Sequence, residues 1–261
     1  MTLSSMPPAA TGRLIALGID TATSACAVAV WAVDMGSGQS APLAAGAEAL
    51  ARGQAERLLP LVNEVLAEAG LDYAAVDRYG VTVGPGAFTG LRVGLAAARG
   101  LALAANRPLM GVTGLDAFAH AAVHGLGRGE GAAPLGPPAP LLAAPLLVAI
   151  DSRREDFYLQ AFDAAGLPLT QPEAVLPADL PRFVAALPGP PLLLGDAVAA
   201  VAAVLTAAGC DHSVVPLSAA GPAQAVARMT ALATPAALAA HPAHPLYIRP
   251  PDVTVAPGAP R

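Results

Sequence analysis

The run Gly84-Pro85-Gly86-Ala87-Phe88-Thr89-Gly90-Leu91-Arg92 carries the densest chemical signal in this chain. It follows a strand-like run and opens a helical pattern, so free backbone N–H groups and the positive end of a helix dipole would favour an anion there. The same residues also meet a plain structural need, since glycine permits positive φ and proline fixes the entry angle of a tight turn. His120 and His124 stand at i and i+4 on a predicted helix, the spacing of two zinc ligands on one face. The intervening Ala121-Ala122-Val123 supplies no general-base Glu and no carboxylate ligand is evident nearby, so two solvent-facing histidines near a helix end are the plainer expectation. All 14 basic residues are arginine, which removes a P-loop lysine, a Schiff-base lysine and a lysine general base at once. Cys26 and Cys210 lie far apart and fit neither a disulfide framework nor a metal-ligand spacing, as suits a reducing cytoplasm.

These residues are carried by a regular alternation of elements. Residues 13–20 form an apolar run ending in Asp20, and a valine-rich run over 26–33 reads as its partner strand. A Gly/Ser turn at 36–40 leads to a weaker strand over 43–50. Apolar residues recur at helical spacing over 54–69, with Gly70 as the C-cap glycine and Pro60 predicted to kink the first turns. A strand over 79–83 feeds the Gly-Pro-Gly turn, followed by a helix over 88–105, a strand over 109–112 and a helix over 115–124. The pattern then restarts, with 146–150 running into Asp151 as 14–19 runs into Asp20. Strands over 157–163, 169–175 and 192–194 and helices over 179–187, 197–208 and 223–240 follow, the last interrupted at Pro235. The predicted organisation is a flexible leader (1–12), an N-terminal lobe (13–125), a Gly/Pro-rich linker (126–145), a C-terminal lobe (146–249) and a flexible tail (250–261). Two similarly built halves predict an α/β chain of duplicated lobes, with mixed sheets flanked by helices.

Hydrophobic residues make up 55% of the 261, yet aromatics are only 4% and 64 residues are alanine, so the apolarity resides in small side chains. The net charge of −5 and the lack of any basic run deny the chain the electrostatic footprint of a protein that holds nucleic acid alone. The first residues have no basic n-region, and the apolar run after Arg13 is too short for a signal peptide. Residues 134–150 are uncharged but carry five prolines, which would deny a membrane helix its hydrogen bonds, so no membrane association is expected.

Gly90, Gly94, Ala98 and Ala102 recur every four residues on the predicted helix 88–105, leaving one stripe flat enough for another helix at the short end of the usual ~8–10 Å separation. Gly94 and Gly100 each cost about 1 kcal/mol of helix propensity relative to alanine, which close packing would offset. With Leu58, Leu59, Val62, Val65 and Leu66 on the preceding helix, Gly90, Gly94 and Ala98 are the candidate partner-binding residues. The plainer alternative is that both helices simply cover their own sheet.

The segments GID-TATSACAVAV, AERLLPLVNEVLAEAGL, GVTVGPGAFTGLRVGLAAARGLALA, PLMGVTGLDAFA, VAIDSRREDFYLQAF and PLYIR closely resemble, in order, the TsaB (YeaZ) family. The resemblance runs from about Leu14 to Arg249. It implies two lobes of the actin-like, hexokinase-like ATPase (ribonuclease H-like) fold. It also implies a non-catalytic subunit of the bacterial machinery that makes threonylcarbamoyladenosine beside the anticodon of tRNA. The implied partners are a TsaD-type catalytic subunit and a TsaE-type ATPase, with tRNA met only through the complex and a homodimer when the chain is alone.

In the TsaD paralogue a His-x-x-x-His pair binds the metal, and here Gly114 and Phe118 stand at the matching positions, so the resemblance implies no metal and no catalytic residues. The turn Asp20-Thr21-Ala22-Thr23 resembles the first phosphate loop of the fold, where Asp-x-Gly-Thr is usual; Ala22 adds a Cβ at the point where amides would approach a phosphate. Asp20, Thr21, Thr23, Gly84 and Gly86 are the candidate nucleotide-binding residues, with no tightly bound cofactor and ATP or ADP with Mg²⁺ expected at a complex interface. Asp151 either pairs with Asp20 about a metal-bound phosphate or hydrogen-bonds its own turn at Ser152 and Arg153, the latter being preferred. The competing readings are an autonomous ATP-dependent kinase or ATPase of the same fold and a zinc glycopeptidase.

Overall fold

The computed structural model describes residues 12–50, 52–127 and 144–249; most of the predicted leader and linker and all of the tail lie outside the described residues. The first half contains β1 (Arg13–Asp20), β2 (Ala25–Asp34), β3 (Ser40–Ala49), α1 (Gln54–Glu68), β4 (Arg78–Thr82), α2 (Phe88–Ala105), β5 (Leu109–Val112) and α3 (Gly114–Val123). The second contains β6 (Leu146–Asp151), β7 (Phe157–Phe162), β8 (Glu173–Val175), α4 (Leu180–Ala185), β9 (Leu192–Leu194), α5 (Val198–Ala207), β10 (Ser213–Val214), α6 (Gly221–Leu232) and α7 (Pro235–Ala240).

The strands build two five-stranded sheets, ordered β3-β2-β1-β4-β5 and β8-β7-β6-β9-β10. In both, the first strand pairs antiparallel with the second and parallel with the fourth. The halves are therefore the same topology twice, as the repeated strand-then-acid pattern predicts.

Each sheet is covered on both faces, which is why its central strands are apolar on both sides. Ile15, Leu17 and Ile19 of β1 join the core beneath α1 and α2, while Leu14 and Ala16 face α6. The final helices are exchanged between halves: α6 packs on β1, β2 and β4 of the first sheet, and α3 packs on β6, β7 and β9 of the second. Ala117 and Ala121 of α3 meet Ala225 and Val226 of α6, so two alanine-faced helices lock the sheets together. The abundance of alanine has a structural use in this low-profile seam.

Gly18 and Gly80 are register partners on β1 and β4, and α6 lies on the platform they make. A Cβ on Gly18 would stand 2.4 Å from the Ala227 nitrogen, and one on Gly80 2.2 Å from Thr230 Oγ1. Neither position admits a side chain without moving the helix.

Two details depart from the sequence expectation. The two-residue β10 was not anticipated, because Ser213 and Val214 are exposed and carry no apolar pattern. The strand expected over 169–175 is shortened to β8, since Leu169 and Thr170 both turn their N–H groups to the Ala161 carbonyl. Pro60 lies inside α1, which continues on both sides of it. The interruption expected at Pro235 is present: α6 ends at Leu232, and Pro235 is the first residue of α7, whose N-cap Thr234 accepts from the Ala237 N–H. Among the described residues α2 alone is long and apolar enough to cross a membrane by composition, but Gly90, Leu91, Gly94, Leu95 and Ala98 bury one side of it against the first sheet.

Candidate functional site

The end of β1 places Asp20 at the junction of the two halves, fully buried. Its Oδ1 accepts from the Ala22 N–H at 3.0 Å and from Thr82 Oγ1 at 2.7 Å, and its Oδ2 accepts from Thr23 Oγ1 at 2.7 Å. Burial raises its pKa, with these hydrogen bonds opposing the rise.

The run 84–90 lies directly on this turn. The Ala87 N–H donates to the Ala22 carbonyl at 2.7 Å, and Thr21 Oγ1 donates to the Gly90 carbonyl at 2.7 Å. A Cβ on Gly86, whose φ is +152°, would stand 2.1 Å from the Ala22 oxygen. One on Gly90 would stand 2.0 Å from the Thr21 oxygen, and one on Gly94 2.4 Å from Thr21 Oγ1. The glycines of this run are thus required by contact with the chain's own backbone. Thr21, Ala22 and Thr23 are buried beneath it. A phosphate does not fit here: the Ala22 amide is taken by Asp20 Oδ1, and residues 86–90 lie against the Thr21 and Ala22 carbonyls. The structure does bring Asp20, Thr21, Thr23, Gly84 and Gly86 together, but as a closed joint.

The second half supplies two more acids. Asp151 Oδ1 accepts from the Arg153 N–H at 2.7 Å, and its Oδ2 pairs with Arg153 Nη1 at 3.1 Å, the turn-forming role preferred from sequence. Asp196, which sequence reasoning missed, accepts the Asp151 N–H on Oδ1 at 2.9 Å. Burial, reinforced by the charges of Asp20 and Asp151, pushes its pKa up to about 6 against the opposing Asp151 N–H bond. The signal was present, since β9, Gly195 and Asp196 form a third strand-then-acid run. Among the described residues no group of three or more His, Cys, Asp or Glu side chains is disposed to hold a metal ion.

The positions aligned with the paralogue's metal ligands are built into the core. Phe118 is buried with Leu146, Val148 and Ile150, and a Cβ on Gly114 would meet Ile150 Cδ1 at 3.0 Å. The expectation of two solvent-facing histidines holds for His124, which is exposed, and needs correction for His120. His120 Nε2 lies 2.7 Å from Arg228 Nη1; a guanidinium only donates, so this nitrogen is an unprotonated acceptor. Burial above all, then His124 and Arg228, depresses the His120 pKa to about 3. Arg228 occupies the lone pair that a metal would use, and no sequence spacing links it to His120. Cys26 is in the first core, where burial lifts its thiol pKa to about 11.

The residues proposed from sequence for partner binding mostly face inward. Leu58, Val62, Val65 and Leu66 are buried in the first core with Leu61, and Gly90, Gly94 and Ala98 are buried against the sheet. In the single chain this apolar stripe covers its own sheet, because inward residues of a helix follow the i, i+3, i+4 pattern that the sheet requires. Leu59 is the exception, 47% exposed, and on α2 Leu103 is 83% exposed beside Gly100, whose side is open space.

A family model described as TsaD, tRNA N6-adenosine threonylcarbamoyltransferase, matches residues 48–248. The tRNA threonylcarbamoyladenosine biosynthesis protein TsaB of Escherichia coli is 34% identical over 142 residues, covering 54% of this chain and 52% of that protein. Its Haemophilus influenzae namesake is 38% identical over 110 residues, covering 42% of this chain and 44% of that protein. A tRNA N6-adenosine threonylcarbamoyltransferase of Erythrobacter litoralis is 44% identical over 72 residues, 28% of this chain and 21% of that protein. The chain spans about half the length of the TsaB relatives it matches. Among solved structures, YeaZ from Pseudomonas aeruginosa superposes with a TM-score of 0.62 at 24% identity, covering 90% of this chain and 99% of that one, which shows a shared fold.

Proposed function

This chain belongs to the TsaD (tRNA N6-adenosine threonylcarbamoyltransferase) family as a TsaB/YeaZ-type member, and from that premise we propose that it is a non-catalytic subunit of the tRNA threonylcarbamoyladenosine machinery. In this reading it docks a TsaD-type catalytic subunit in the cytoplasm, with a TsaE-type ATPase as a further partner and tRNA engaged through the assembled complex. One observation carries the non-catalytic part: the turn at Asp20–Thr23, where the fold would hold a phosphate, is filled by the chain's own residues 86–90. The apolar packing of Gly114 and Phe118 supports it, because neither side chain can ligate a metal.

Docking falls to the outward faces of α1 and α2. Leu59 of α1 and Leu103 of α2 are exposed there, Leu103 on the same side of α2 as the small, exposed Ala96 and Gly100 that let another helix approach. Without the partner, the same face supports a homodimer.

The test is reconstitution. Threonylcarbamoylation of tRNA is measured with this chain alone, with the TsaD-type subunit and TsaE-type ATPase of the same organism, and with all together. The proposal expects no product from the chain alone and product from the other two only when the chain is added. Product from the chain alone, or no effect of adding it, contradicts the proposal.

A further inference from the structure

Residues 241–249 form no helix or strand and run from the first half onto the second. Their first part is built into the first half. The His241 carbonyl accepts from the Gly111 N–H at 2.8 Å, the Ala243 carbonyl accepts from Arg99 Nη2 at 2.6 Å, and the Leu246 N–H donates to the Val83 carbonyl at 2.6 Å. Ala243 and Leu246 also pack into the core of that half. A Cβ on Gly84 would stand 2.7 Å from the Leu246 oxygen, and one on Gly111 2.7 Å from the Pro242 oxygen. Both glycines thus leave room for the backbone of this segment.

Tyr247 alone separates Leu246 from the landing on the second half. Ile248 packs into the cluster that holds Leu146, Val148 and Ile150 of β6 with Phe118 of α3. Arg249 Nη2 then meets Asp156 Oδ2 at 2.5 Å, with the aspartate side chain 2% exposed and the arginine side chain 40%. Oδ1 of Asp156 accepts from Ser152 Oγ at 2.7 Å, but Oδ2 is buried without a hydrogen-bond donor aligned on it. The Arg249 charge is what compensates that oxygen, and withdrawing it would leave a buried charge unpaired.

The landing matters because of where the halves are otherwise joined. Ala117 and Ala121 of α3 meet Ala225 and Val226 of α6 at the seam. Between the first turn of α2 and the loop after β6 lies a cleft of about 480 Å³, lined by residues 246–249 but by no residue of α3 or α6. Rotation of one half about the seam would widen this cleft, and relative motion is the ordinary behaviour of two such units. Residues 246–249 cross the side that would open.

We propose that residues 241–249 are a clasp: anchored in the first half through Leu246, it holds the second half through Ile248 and the Arg249–Asp156 pair, and release of that pair lets the halves rotate about the α3–α6 seam. The landing is the releasable end, since it rests on one partly exposed ion pair and one side chain. The anchored end is carried by backbone hydrogen bonds and core packing. The proposal stands whether or not the chain docks a catalytic subunit.

The experiment is pulsed electron spin resonance on the full chain, with nitroxide labels at Thr89→Cys and Ala199→Cys, one exposed position on each half, in a Cys210→Ser background that leaves only the buried Cys26. One narrow distance is expected. Arg249→Ala and Asp156→Asn should each enlarge a longer-distance component several-fold, from at most about one part in ten in the unmutated clasp, with the far-ultraviolet circular dichroism unchanged. Arg249→Lys keeps the charge and should restore most of the narrow distance. The proposal is overturned if either Arg249→Ala or Asp156→Asn gives the distances of the unmutated clasp, if the unmutated clasp already gives the broad distribution, or if Arg249→Lys is as open as Arg249→Ala. Loss of the native circular dichroism in either Arg249→Ala or Asp156→Asn also overturns it, since a contact required for folding is not a releasable clasp.

Discussion

Gly86 lies so close to the Ala22 carbonyl that a Cβ at Gly86 would stand 2.1 Å from the oxygen. This contact turns the glycine-rich run from an anion cradle into the plug of the first phosphate turn, and it predicts the cost of changing it. Gly86→Ala and Gly90→Ala should each destabilise the chain by about 2–4 kcal/mol, through backbone overlap at both sites and positive φ at Gly86. Gly100→Ala, where the side is open space, should stabilise by up to about 1 kcal/mol. Denaturant melts of the three variants check the ranking; equal stability of Gly86→Ala and wild type would mean that the turn is open.

The platform of Gly18 and Gly80 beneath α6 makes a parallel prediction. Gly80→Val should separate α6 from the first sheet and loosen the seam with α3. Cooperative unfolding should then give way to a broader transition in which the two sheets no longer melt together. A sharp transition at the wild-type temperature would show that α6 does not join them.

The His120–Arg228 contact predicts a pH dependence. The folded pKa near 3 lies below the ordinary histidine value of 6.5, so the unfolded chain binds the proton first as pH falls. The stabilisation is full above pH 6.5 and is lost as the pH drops from 6.5 toward 3, with a slope of at most about 1.4 kcal/mol per pH unit. Asp196 acts in the opposite sense: its raised pKa of about 6 stabilises at low pH, and that contribution disappears as pH rises through 6. Comparison of wild type with His120→Gln isolates the histidine, since glutamine can still accept from Arg228. Wild type should lose stability relative to the variant as pH falls below 6.5; a difference that stays constant with pH would contradict the assignment.

Nucleic-acid binding by the lone chain should be weak. The net charge is −5 and the 14 arginines form no basic run. Full-length tRNA should bind with Kd above about 1 μM at physiological salt, and the log–log salt slope should be shallow, no steeper than about −4. Submicromolar binding with a steeper slope in a filter or anisotropy assay would require a basic surface that the described residues lack.

Much of this architecture is legible in the sequence because it rests on local pattern. Asp20 and Asp151 at the ends of matched apolar runs disclose the duplication, and the spacing of Leu58, Val62 and Val65 fixes the inner face of α1. What the sequence does not disclose is contact between distant segments. Nothing near His120 names Arg228, 108 residues away. Nothing in the glycine-rich run says whether its amides face a ligand or the Ala22 carbonyl. The four-residue stripe of Gly90, Gly94 and Ala98 equally suits a partner helix and the chain's own turn at Thr21, and only the fold decides for the latter. Leu59 and Leu58 are adjacent in sequence yet stand on opposite sides of the same helix wall, so an apolar count alone overstates the docking surface.

The most direct test of the central claim is the affinity of this chain for the TsaD-type subunit of the same organism, measured by titration calorimetry for wild type, Leu59→Glu and the control Leu169→Glu on the other half. The account predicts a one-to-one complex that Leu59→Glu weakens at least about tenfold, because an unpaired charge would be buried at the contact, while its melting temperature and the affinity of Leu169→Glu stay at wild-type values. Absence of a complex, or wild-type affinity for Leu59→Glu, would contradict it.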